Sequence, residues 1–432
     1  MTASPPDTRP IDASFHHPSH RELLTYESAS DAPRARIDAV VVPAARPARS
    51  LRPSMRLARK LNCGLVAMCS KGVTAREAVR LGTKMRVPVV AIDVVGNSYG
   101  LPAFLTTRFM KRHVNFARPS DTSMKRNLAL YLSRLAGWRR VLFLDDDICD
   151  VPSTCVRAAA GLLRKYDIVG LHNMGYPDNS VVCHLHRELG GGQSQFIGVG
   201  GMAVSLWANR SFFPNIYNQD WFFILGTGVP LRIAVTGQMK QKRYDPFADA
   251  DRARREEFGD CLAEGLFWLL DHGLPIQVAD EAHWEDFLGR RAHLIGYLSA
   301  EAKRNADKPA GRRVLASMHN SWMTWRKITP RLCADYVRLW QSDLEAWRLF
   351  LLHHPVGLGL KVALDYTGWH NVLRSEFPWP HWASSGVITG DRLGLDDGWE
   401  CPAAGSTAIG AAGSVSEPSR HAPTPVQMGI AI

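Results

Sequence analysis

Apolar and polar positions along the chain fall into two alternating regimes, and their order predicts a layered α/β protein. Short unbroken apolar runs at 37–42, 64–69, 87–93, 140–145 and 167–171 show no in–out alternation, the mark of strands covered on both faces. Stretches with helical spacing lie between them. Leu51, Met55, Ala58 and Leu61 form one stripe, and a second helix starts behind Thr74 and runs to Leu81, before Gly82. A third carries Met124, Leu128, Tyr131, Leu132 and Leu135 behind Asp121 as its N-cap. A fourth runs from Pro152 to Tyr166, opening on a proline that a first helical turn tolerates. Strands and helices alternating at this spacing imply a mostly parallel sheet with right-handed crossovers.

Elsewhere the pattern is weaker. Residues 96–119 and 172–195 read as irregular, the latter polar with Gly190, Gly191 and Gly192. Gly198, Gly200 and Gly201 suit packing or bulge positions. Residues 238–247 read as a basic loop, with Gln241, Lys242 and Arg243 as pocket-lining candidates, and Asp260 as the cap of a helix over 261–270. Residues 286–382 form a helical annex in which Trp322, Trp325, Trp340, Trp347 and Trp369 recur at mainly helical spacings. Packing is the plain reading of those rings, and a lipid-touching amphipathic face the sharper one. Residues 1–36, rich in Pro, Ser, His and Asp, predict a disordered arm, and the Gly-, Ala-, Ser- and Pro-rich stretch 383–432 a disordered tail. The sheet domain is thereby bounded to 37–285.

Charge sharpens this picture. The chain has 432 residues and a formal charge of +11, yet residues 1–140 carry 24 Lys and Arg against 9 Asp and Glu. A basic N-terminal part suits a polyanionic ligand such as a nucleotide diphosphate, or an anionic membrane surface. Nucleic acid is not expected as a partner, since the charges are scattered and no reader motif is present. The eight cysteines are spread singly, without a CxxC pair, which argues against a disulfide framework or structural zinc and points to a reducing compartment. With no signal region and no apolar run of about 18 residues, a cytoplasmic protein is expected, with peripheral membrane contact as an addition.

The chemistry concentrates where the run 140–144 meets Asp145, Asp146 and Asp147. A buried strand ending in three acids places negative charge at the carboxyl edge of the sheet, where open α/β sheets bind ligands. Uncompensated, these groups repel and raise each other's pKa, so a hard divalent cation neutralising a diphosphate is the natural partner. A solvated acidic turn is the plain alternative.

Arg126-Asn127, a helix, and then Val-Leu-Phe-Leu-Asp-Asp-Asp resemble family 2 glycosyltransferases of the GT-A fold. The likeness is specific over roughly 120–150, keeps order and spacing over 37–290, and does not reach the C-terminal third. It implies a GT-A-like, mostly parallel nucleotide-binding sheet flanked by helices, an Asp-x-Asp motif holding Mg²⁺ or Mn²⁺, and a nucleotide-diphosphate sugar donor. UDP is favoured over GDP, and the acceptor (a saccharide, small molecule or protein) stays open. By this resemblance Asp145 and Asp147 hold the metal, with Asp145 and Asp146 also beside the donor, although which two of the three acids work together is left open. His283 is the candidate further metal ligand. Lys125, Arg126 and Asn127 fall at donor-positioning places, Arg being suited to forked contact with phosphate. Asp93 falls where an acid contacts the base, or else caps a turn. Pro43 ends the first strand, and the following loop departs from the family pattern, with Arg46 as its donor-side candidate. Asn218-Gln219-Asp220-Trp221-Phe222 resembles the acidic motif ahead of an aromatic pair, which makes Asp220 the base of an inverting reaction, or otherwise a helix cap.

No G-x-G-x-x-G follows any of these strands and no P-loop is present, which sets aside a dinucleotide-binding dehydrogenase. A sugar-nucleotide nucleotidyltransferase wants a Gly-rich loop after the first strand, and 43–50 has no glycine. A non-catalytic sugar-nucleotide binder of the same fold is the third reading, distinguished by whether the donor is turned over.

Overall fold

Ala39 and Val41 point into one core while Val40 and Val42 point into another, and the same division holds for Val141 and Phe143 against Leu142 and Leu144. Side chains alternate across a strand, so an unbroken apolar run fills both faces of a sheet. In the computed structural model, which describes residues 19–20, 23–96, 99–175, 180–193, 195–206, 211–226, 231–304 and 306–380, this produces a three-layer α/β fold. The tail expected over 383–432 and residues 1–18 of the expected arm lie outside that description.

The chain runs β1 (Leu24–Tyr26), β2 (Ala39–Ala44), α1 (Arg52–Leu61), β3 (Gly64–Cys69), α2 (Ala75–Met85), β4 (Val89–Asp93), α3 (Leu105–Arg112), α4 (Thr122–Ala136), β5 (Arg140–Leu144), β6 (Ile148–Asp150) and α5 (Ser153–Leu162). It continues through β7 (Ile168–Asn173), α6 (Val181–Glu188), β8 (Gly201–Ser205), α7 (Gln219–Ile224), β9 (Ile233–Gln241) and α8 (Asp251–Asp271). Helices α9 (Glu281–Arg304), α10 (Pro309–Trp325), α11 (Pro330–Leu352) and α12 (Leu360–Thr367) follow, and then β10 (Val372–Arg374).

The strands form one mixed sheet in the order β1-β9-β7-β8-β5-β2-β3-β4-β10, with β6 pairing onto β9. Most pairings are parallel, but β8 lies antiparallel to both β5 and β7. From β2 the chain steps outward through β3 to β4, then returns to lay β5 on the other side of β2. The carboxyl ends of β2 and β5 therefore flank a topological switch point, where such sheets bind ligands. Pro43 sits inside β2, paired across from Met68, and the ladder to β5 stops at Val41 opposite Phe143. A proline fits there because no partner on that side needs its missing N–H.

Several expectations give way. The arm is in part structured, since β1 pairs with β9 and His20 stacks on Phe267 at 4.5 Å. Helix α2 runs through Gly82 to Met85, because an added Cβ at Gly82 would lie 2.5 Å from Val89 Cγ2 and only glycine permits that approach of helix to strand. The irregular stretch 96–119 contains α3, and 172–195 contains α6. Asp260 is mid-helix in α8 and buried, not a cap. The annex shares the sheet's core: Trp340 packs edge-on against Phe222 at 5.3 Å, and Trp347 lies 6.4 Å from Phe212. Trp340, Trp347 and Trp369 are buried and Trp322 stacks on Trp325, so these rings serve packing. Among the described residues no helix is long and apolar enough to cross a membrane, and the seven cysteines there are unpaired.

Candidate functional site

A cavity of about 470 Å³ opens at the carboxyl edge of the sheet beside the ends of β5, β7 and β9, and Asp145, Arg126 and Asp220 all line it. Its further wall includes Gln241, Asn218 and Arg118. The three leading residues come from three elements, and each is positioned by bonds the sequence does not advertise.

Asp145 follows β5, where a turn closed by Ile148 N–H donating to Asp145 C=O at 3.1 Å reverses the chain into β6. Asp146 is turned inward: the N–H groups of Ala45 and Arg46 each donate to its Oδ2 at 2.8 Å, and the Arg46 guanidinium binds its Oδ1. It thus fastens the loop after β2 to the end of β5. Asp147 Oδ2 accepts from Arg46 Nη2 at 3.1 Å and from Gln241 Nε2 at 3.2 Å. Pairing of Ile148 with Gln241 across β6 and β9 brings that amide into place. The ladder of β9 on β7 shifts register nearby, beside Gly237 at φ +55°, where a Cβ would meet Cys155 Sγ at 2.7 Å.

Arg126 projects from the second turn of α4, almost fully buried, and donates through Nη2 to Asp145 Oδ1 at 2.6 Å. The start of α4 is laced to the segment ahead of α7. Ser123 Oγ lies 2.9 Å from Pro214 O and 2.8 Å from Gln219 Oε1, and Asn127 both donates to Phe213 O and accepts from Phe213 N. This lacing holds Arg126 near Asp220, whose Oδ2 accepts from Val199 N–H at 3.2 Å. Burial pushes the Asp220 carboxyl up from its ordinary range, the Arg126 charge opposes that rise, and Asp145 adds to it. Two glycines of the cavity wall border the two acids. A Cβ at Gly198 would come within 3.7 Å of Asp220 Oδ2, and one at Gly200 within 3.5 Å of Asp145 Oδ2.

Five other expected site residues stand elsewhere. Lys125 is buried and does not line the cavity, its Nζ bonded to Ala44 O at 2.8 Å, Ser70 Oγ at 2.6 Å and Asp121 at 3.3 Å, and burial pulls its pKa down. It knits the ends of β2 and β3 to α4. Asn127 is consumed by Phe213, as above. Asp93 accepts from Ala75 N–H at 2.6 Å and so caps α2. His283 lies on the aromatic seam of α8 and α9, its ring 5.9 Å from Trp268 and 4.8 Å from Trp284, and it does not line the cavity. Pro43, inside its strand, does not line it either. Sequence reasoning gave Arg118 and Asn218 no role of their own and read Gly198 and Gly200 as packing or bulge positions, whereas all four line the cavity. The glycines just ahead of a strand were the available signal, whereas Asn218, at φ 56°, had none.

Among the described residues, two groups of side chains are candidates for a cation site. Asp145 lines the cavity, whereas Asp147 does not, and its Oδ2 accepts from Arg46 and Gln241. That fits a cation held by one or two carboxylates and completed by substrate phosphates and water, the habit of Mg²⁺, rather than an all-protein cage. The other group, Cys183, Asp260 and Glu264, has ligand atoms within 4.8 Å of one another and is fully buried. Arg291 fits there instead, reaching Glu257 at 2.8 Å, Asp260 at 2.6 Å and Glu264 at 3.2 Å. Burial, and then the Asp260 and Glu264 charges, push the Cys183 thiol well above its ordinary range.

No known protein family matches this chain, and no curated protein is significantly similar to it.

Proposed function

We propose that the protein is a metal-dependent glycosyltransferase of GT-A-like fold that moves a sugar from a nucleotide diphosphate, UDP before GDP, to a hydroxyl acceptor. The observation that carries this reading is that Asp145, Arg126 and Asp220, drawn from three elements, line one cavity at the carboxyl edge of the sheet. The strand order supports it too, because the switch point between β2 and β5 is where a nucleotide is held in open α/β sheets.

In this reading Asp145 and Asp147 are the residues that would hold Mg²⁺ or Mn²⁺. The cation, when bound, supplies charge neutralisation of the leaving group. Arg126, beside Asp145, adds a fixed positive charge on the same side. Asp220 takes the proton from the acceptor hydroxyl as its oxygen bonds to the anomeric carbon. The bond from that carbon to the diphosphate breaks, and the nucleoside diphosphate leaves with the electron pair. A base on the face opposite the leaving group gives inversion. The raised pKa of Asp220 suits the task, because a base works best with its pKa closer to the operating pH.

A thermal-shift screen of UDP-, GDP- and dTDP-sugars, with and without Mn²⁺, tests the reading. A true donor at about 100 times its Kd stabilises the fold by roughly 2.7 kcal/mol, only with the metal. Slow metal-dependent hydrolysis of the same donor then separates an enzyme from a binder. Absence of any nucleotide-dependent shift overturns the proposal.

A further inference from the structure

Arg46 is in contact with two of the three clustered acids. Its backbone N–H and that of Ala45 anchor the loop to Asp146 on their own, each at 2.8 Å. The side chain, 52% exposed, is then held by Asp146 Oδ1 and by Asp147 Oδ2 at 3.1 Å. Asp147 is only 14% exposed, and the guanidinium bonds its Oδ2. Loop and side chain are separable: the first stays fastened if the second swings away.

We infer that Arg46 is a built-in competitor for the cation seat on Asp147, lying on that carboxylate in the free protein and turning to the donor diphosphate when cation and nucleotide enter together. This rests on the proposed function. A guanidinium and a divalent cation bonded to one carboxylate oxygen repel strongly at that separation. Cation alone must therefore displace Arg46 into water, whereas a diphosphate gives the planar fork a new anionic partner of matching shape. Cation and nucleotide each raise the other's affinity, by the same factor in both directions.

Mn²⁺ binding to the full chain, followed by the electron paramagnetic resonance signal of the free ion, tests this with UDP as the nucleotide probe. Arg46→Gln is expected to bind Mn²⁺ alone about tenfold more tightly than wild type and to lose most of the UDP enhancement. Arg46→Lys keeps the charge without the fork and is expected to hold Mn²⁺ alone as weakly as wild type while gaining less from UDP. Circular dichroism confirms that both variants fold. Wild type that binds Mn²⁺ with UDP, beside an Arg46→Gln variant with unchanged Mn²⁺ affinity and unchanged coupling, overturns the role of Arg46 and leaves the function standing. Failure of every chain to bind Mn²⁺, with or without UDP, overturns both.

Discussion

The guanidinium of Arg126 donates to Asp145 at 2.6 Å from a side chain that is only 4% exposed. It lies over the Phe213 ring, 5.6 Å from its centre, and its charge also reaches Asp220. One buried cation thus serves two acids of the cavity.

Arg126→Gln removes the charge that holds the Asp220 pKa down, leaving burial and Asp145 to raise it further. A general base must be ionised, so activity is lost as pH falls through its pKa. The acid limb of the kcat/KM profile is expected to move to higher pH in this variant, with kcat/KM at neutral pH down about tenfold to a hundredfold. A pH–rate series on both proteins checks this, and an unmoved acid limb separates Arg126 from the base.

Asp220→Asn is expected to abolish most turnover while leaving UDP affinity within about threefold of wild type. Since burial disfavours the ionised form, the variant is also expected to melt no lower than wild type at neutral pH. Calorimetry of UDP binding and a melting curve on one preparation measure both.

The Arg291 cluster governs stability rather than chemistry. Asp260 is pushed up to about 6, first by burial and then by the Glu264 charge. A carboxyl whose folded pKa lies above its unfolded value near 3.9 stabilises the fold below that unfolded value, and loses the contribution as pH rises through about 6. Asp260→Asn is expected to flatten the fall in stability across that window, read by urea unfolding from pH 4 to 8. Arg291→Met leaves three buried acids without their cation and is expected to cost about 3–5 kcal/mol.

Asp93 provides a contrast between capping and ligand binding. Its carboxylate accepts the first N–H of α2, and the same end carries the reciprocal pair of Thr74 and Glu77. Asp93→Ala is expected to cost about 1 kcal/mol of stability and to leave UDP affinity unchanged, checked by denaturant unfolding and titration.

Gly161 sets how the N-terminal segment lies on α5. An added Cβ would fall 1.8 Å from Pro33 O, next to the bond from Ala35 N–H to Arg157 O at 3.0 Å. Gly161→Ala is expected to cost about 1–3 kcal/mol and to speed amide exchange at Ala35 and Glu27.

The strands β2 to β5 were legible because each is covered on both faces and therefore written as an unbroken apolar run. Helix α3 was not. Its first two N–H groups are capped by Asp343, at 2.7 and 2.8 Å, from a helix some 240 residues further along. A cap supplied across the fold leaves no local mark. Asp145 and Asp220 were legible as acids at element ends, whereas the uses of Lys125, Asn127 and Asp93 depend on what faces them. Buried Lys125 meets a carbonyl, a hydroxyl and a carboxylate, all from its own protein. Ser180, by contrast, caps α6 by accepting from Cys183 N–H at 3.2 Å and was a signal available in the chain.

Strands β1 and β10 are three residues each, and they close the two flanks of the sheet. A flank of unpaired amides and carbonyls is a template for a foreign strand, and very short terminal strands blunt it. Each fragment is too brief to recruit a neighbour yet long enough to shield β9 on one side or β4 on the other. Trimming the chain at either margin of its folded body would therefore bare a sticky rim, and clumping would follow before any loss of the core.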